Sequence, residues 1–191
     1  MMHPPCPPTL YTRAGGQRIR CSMPADVSLP AERYVPGHGR APDHAFFAAI
    51  KAKCPPRVSD INWRSAPPYL FGFDLYAAGF FWEAHEVWEP VWTACAPNSR
   101  ERALMAGLIQ LANGCLKLVM HRPKAALRLL GEASGQVGEA GWPAGRVMGL
   151  SPIALQQEIA AFAGVVREAA VEHHEALEGL SDRRPGLDLV K

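Results

Sequence analysis

The stretch GFFWEAHEVWEPVW, residues 79–92, carries three tryptophans, two phenylalanines, three glutamates and one histidine. At about 100° per residue, Phe81, Trp82, His85, Trp88, Glu89 and Trp92 fall within roughly one third of a helix circumference. The pattern predicts an amphipathic helix whose aromatic stripe is buried, with His85 and Glu89 inside it. Glu83 and Pro90 fall toward the other side and Glu86 at the border. Glu83 is expected to face water, as a glutamate outside an apolar stripe usually does.

Upstream, YLFGFDLYAAG (69–79) is a second helical pattern closed by Gly79, so the two segments form a helix hairpin. The arrangement recurs: RALMAGLIQLANGCLKLVMHR (102–122) leads into PKAALRLLGEASGQV. Ala84 follows Gly79 as Ala126 follows His121, a small residue where the two helices of each hairpin approach. The turns stand 42 residues apart, whereas a tetratricopeptide unit repeats at roughly 34, so the units are repeat-like without forming a true array. Pro90 and ACAPNSR (94–100) supply a connection, with Asn98 or Ser99 as cap of the next helix. Ser151-Pro152 opens a long C-terminal helix to about residue 179, and Asp43 is placed to cap a short helix, HAFFAAIKAK, that Pro55 and Pro56 end. No strand alternation is convincing.

The expected fold is therefore all-α: antiparallel helix hairpins, tetratricopeptide-like but degenerate, packed with a long C-terminal helix. Its core is expected to draw on Leu75, Phe81, Trp82, Trp88, Leu104, Leu108, Leu111, Leu118, Leu127 and Leu130. Residues 1–30 read as a disordered or mis-annotated extension, with Met23 as an alternative to Met1 as the true start. Residues 31–180 read as one helical domain and 181–191 as a polar tail.

YLFGFDLYAAGFFWEAHEVWE closely resembles the signature of the domain of unknown function 309 family. GLIQLANGCLKLVMHRPKAALRLL and RYVPGHGRAPDH fit the same pattern, so the resemblance spans roughly 33–165. It implies a compact all-helical protein and carries over no activity.

The residues leave the chemistry open. His85 and Glu89 stand at i and i+4, where an imidazole N–H can reach a carboxylate. Buried among indoles, they must find partners. One reading is a buried polar network of Trp82, His85, Glu86, Trp88, Glu89 and Gln110 that fixes helix register, with Gly107 and Gly114 beside Gln110 letting a second backbone approach. A second places the same residues around a ligand cleft. A third is a metal site with His85 and Glu89 as ligands and Glu86 as candidate catalytic base. HEVWE begins like the zincin HExxH but lacks its second histidine, so ligands would have to come from His38, Asp43, His44 or His121. His173 and His174, with Glu172 and Glu175, read as a polar helix face.

Other chemistries find less support. No GxSxG, P-loop or dinucleotide fingerprint occurs. Cysteines 6, 21, 54, 95 and 115 form no CxxC pair, and Cys95 and Cys115 read as small apolar fillers. Trp142, in a GWP loop, reads as a pocket lid or as a pin holding the loop. Twenty basic and 18 acidic residues leave a formal charge of +2 with no basic block, so nucleic acid is not an expected partner. No apolar run of about 18 residues occurs, so a membrane is not one either.

The function expected is a cytoplasmic, non-enzymatic binding or scaffold domain with no cofactor. Its partner would be a protein, peptide, small molecule or second copy of itself. The alternative is a metal-dependent hydrolase that uses the HEVWE helix and a divalent ion.

Overall fold

The computed structural model describes residues 11–12, 18–19, 28–38, 44–172 and 179–189. The readings made for the N-terminal extension, Met23, Asp43, His173, His174 and Glu175, and the end of the C-terminal helix beyond Glu172, lie outside those residues. So do Cys6 and Cys21, and the same holds for the side chain of His44.

Six α-helices follow one another: α1 (His44–Lys51), α2 (Pro67–Ala77), α3 (Phe81–Ala94), α4 (Arg100–Val119), α5 (Pro123–Ala140) and α6 (Pro152–Glu172). Short 3-10 turns stand at Trp63–Ser65 and Leu180–Arg183, and the one strand pair among the described residues is Tyr11–Thr12 with Arg18–Ile19. Each helix from α2 to α6 packs on the next in sequence, most extensively α4 on α5, while α1 lies against α3. None among the described residues is long and apolar enough to cross a membrane.

The α2–α3 and α4–α5 hairpins close on the same turn. Gly79 and His121 take positive φ, 85° and 55°. Gly79 N donates to Tyr76 O and Phe80 N to Leu75 O; His121 N donates to Leu118 O and Arg122 N to Lys117 O. These are the paired bonds with which a left-handed residue satisfies a helix's last carbonyls. Ala84 and Ala126 are both fully buried.

Ser99 caps α4, its hydroxyl accepting from Arg102 N at 3.1 Å. Pro90 does not end α3, which runs on to Ala94. The proline removes one bond to the turn before it, and burial of Val87, Val91 and Cys95 beside it holds the helix together.

The core takes in Leu75, Phe81, Trp88, Leu104, Leu108, Leu111, Leu118 and Leu130 as expected, whereas Trp82 and Leu127 are partly buried at its edge. Trp88 is its centre. Its indole lies over Gly72, where an added Cβ would come within 2.0 Å of Nε1, and that Nε1 donates to Tyr69 O at 3.1 Å. Phe73 and Tyr76 meet the same ring with centroids 5.4 and 6.2 Å away. Beyond α6, Leu180 and Arg184 are buried, and Arg184 Nη2 donates to Ala77 O at the end of α2.

Candidate functional site

Helix α3 buries a different face from the one its aromatics suggest. Phe81, Glu83, Ala84, Val87, Trp88 and Val91 point inward, an arc turned by about a third of a turn from the aromatic stripe. Small residues define the face pressed between α2 and α4, since Ala84 and the two valines let backbones approach. Trp82 packs from the side on Tyr34 and Phe47, and Trp92 is 36% exposed.

His85, Glu86 and Glu89 therefore form a surface ridge. His85 Nε2 lies 3.1 Å from Glu89 Oε1, with the two side chains 23% and 50% exposed. Glu86 Oε2 lies 2.5 Å from Lys51 Nζ of α1. One donor atom from each of His85, Glu86 and Glu89 falls within 4.8 Å of the others, a set that could hold a cation. The Lys51 ammonium already occupies Glu86, and an ion drawing on that carboxylate would have to displace it.

Gln110 does not join this ridge. It donates to Glu132 of α5 at 3.2 Å. Gly107 and Gly114 admit α5 rather than α3: added Cβ atoms would meet Val137 Cγ2 at 2.5 Å and Leu130 Cδ2 at 3.1 Å. The six residues grouped by sequence thus separate into the ridge, the core around Trp88, the Trp82 edge and the α4–α5 contact. Trp88, Ala84, Val87 and Val91 of this helix face the core, whereas His85 and Glu89 do not. His38 and His121 are exposed and stand outside the ridge.

The buried carboxylate is Glu83, which was expected in water. It has no exposed surface; Oε1 accepts from Tyr34 N at 2.6 Å, and Oε2 has no hydrogen-bond partner among the described residues. Burial raises its pKa, opposed by the Tyr34 N–H, its own backbone and the Arg33 charge. Segment 28–38 crosses α3 at this point, with the Tyr34 ring 5.0 Å from that of Trp82. Nothing in the local sequence marks Glu83, because the strap that buries it comes from 49 residues away.

Burial pushes the Cys95 and Cys115 thiols up to about 12, so both stay neutral near pH 7 and act as packing groups.

A second feature lies away from the ridge and takes in Trp92, Gln110 and Trp142. An open groove of about 890 Å³ runs between the end of α3, the start of α4 and α5. Trp92 and Trp142 flank it, and Ala103, Ala106 and Gly135 are the small residues of its lining. Arg102 stacks on Trp92, 4.0 Å from the ring centroid, and donates to Cys95 O. Arg100 Nε donates to Ala140 O at 2.8 Å, while its Nη2 is buried without an acceptor among the described residues. Toward Gln110, Glu132 is bonded by Gln110 and by Arg128. Trp142 is 82% exposed, so its indole does not pin the loop to the body.

Residues 69–129 match the family described as domain of unknown function DUF309. The match takes in α2, α3, α4 and the first turns of α5, with the α3 ridge, Glu83 and the α4 side of the groove inside it. Neither a curated protein nor a solved structure matches the chain.

Proposed function

With residues 69–129 assigned to the DUF309 family, we propose that the chain is a non-enzymatic binding or scaffold domain whose binding surface is the α3–α4–α5 groove. One observation carries the reading: two tryptophans, 36% and 82% exposed, flank an open groove of about 890 Å³. Indoles left in water beside a hollow are what a partner covers, since tryptophan and arginine dominate binding energy where they are desolvated. Helix α3 then has a structural task, and its buried thiols suit a reducing cytoplasm.

Photo-crosslinking in living cells tests this. An added side chain at Gly135 or Gly131 meets nothing within 4 Å, and of the two only Gly135 lines the groove. A benzophenone amino acid at Gly135 is expected to give a discrete adduct that the same group at Gly131 does not. No adduct at Gly135, or the same products at both positions, would remove the reading.

The donor set of His85, Glu86 and Glu89 favours a second reading, a divalent ion on the α3 ridge serving a hydrolase. Elemental analysis of untagged protein, wild type against His85→Ala, decides it. Near-stoichiometric metal lost in the variant would support this reading, and equal trace amounts in both would end it.

A further inference from the structure

Four large apolar side chains are exposed among the described residues: Ile61, Trp92, Trp142 and Ile153. Two of them gather at one place: Trp92 and Trp142 both line the groove. Clustering of this kind marks a surface that is covered in use.

The charge on this face narrows the choice of what covers it. Arg100 and Arg102 are matched by Glu132 and Glu139 along the same groove. A strongly acidic or basic partner would call for one sign. A two-fold interface instead lays a patch on its own copy, so a patch of one sign repels itself and a balanced one does not. The shape also fits: the 82% exposed indole of Trp142 stands beside a hollow in whose largely polar lining Ala103, Ala106 and Gly135 leave room. Knob and hollow on the same face are what a two-fold contact needs, each copy giving one and receiving the other.

We propose that the groove is filled by a second copy of the chain, each copy's Trp142 entering the other's hollow about a two-fold axis. This rests on the groove being the binding surface. Two such anchors would bury about 300–500 Å² of aromatic surface at the centre of the contact. Arg102 stacks on Trp92 at the groove, so an incoming indole would meet a cation there as well as a hollow.

Sedimentation velocity of the full chain, followed from low to high micromolar protein, tests the proposal on wild type, Trp142→Ala and Ala106→Arg. Trp142→Ala removes the knob, and Ala106→Arg fills the hollow. Wild type is expected to run at twice the chain mass, and each variant to dissociate at least about tenfold more readily with its far-ultraviolet dichroism unchanged. A wild type that stays monomeric throughout, or a dimer that neither change weakens, overturns it. The Gly135 crosslink separates the two levels. An adduct with a protein of different mass retires self-association and leaves the groove reading standing; no adduct removes both.

Discussion

Glu83 and His85 exchange the environments that local pattern assigns them, and stability should follow the structure. The neutral carboxyl of Glu83 is favoured by burial, so the folded chain holds this proton to higher pH than the unfolded one. Its contribution is full below the ordinary carboxyl value and is lost as pH rises through the raised value. Glu83→Gln keeps an acceptor for Tyr34 N but cannot ionise. Its melting temperature is expected to fall less than that of wild type between pH 4.5 and neutrality, and parallel curves would refute this. His85→Ala removes a partly exposed pair, which contributes about 1 kcal/mol or less. Trp88→Ala empties the centre of the core and should cost about 3–5 kcal/mol in denaturant unfolding. The one-letter pattern could not separate these positions, since a carboxylate's burial depends on what crosses over it.

At the level of elements, the hairpins were legible because their determinants are local. Gly79 and His121 hold the same turn, and the latter does so with a side chain in the left-handed region. His121→Gly should relieve about 1 kcal/mol of strain and raise the melting temperature, whereas Gly79→Ala should lower it. Helix partners were less legible. Gly107 and Gly114 announced a close approach, but α5 makes it. Gly107→Ala drives a methyl to 2.5 Å from Val137 Cγ2, with the Ala133 carbonyl at 3.1 Å behind it. It should lower stability by roughly 1–3 kcal/mol. Gly114→Ala meets only the side chain of Leu130 at that range, and the gain of about 1 kcal/mol in helix propensity should offset much of its cost. Equal unfolding midpoints for the two variants would contradict this packing.

Across the whole molecule, the segment after α6 ties distant parts together. Arg184 donates to Ala77 O at 2.6 Å and to Ser181 O at 2.8 Å, and lies 5.1 Å from the Phe81 ring centroid. Tyr76 donates its hydroxyl to Pro185 O at 3.2 Å. Removing residues 180–191 is expected to destabilise the α2–α3 hairpin. Arg184→Met alone should cost about 2 kcal/mol, the scale of hydrogen bonds made by a buried charge. Hydrogen exchange at the α2 C-terminus would locate the loss there, and unchanged protection would show that the segment carries no such load.

The sequence by itself determined the helices, their turns, a cap for α4 at Asn98 or Ser99 and most of the core, because spacing, caps and left-handed turn residues act within a few positions along the chain. Tertiary structure alone decided which arc of α3 is buried, that Glu83 rather than His85 loses its water, which helix meets the α4 glycines, and that Trp92, Arg102 and Trp142 converge on one groove. Each of these depends on contacts between residues far apart in sequence, where the shape of the partner surface outweighs the periodicity of either segment.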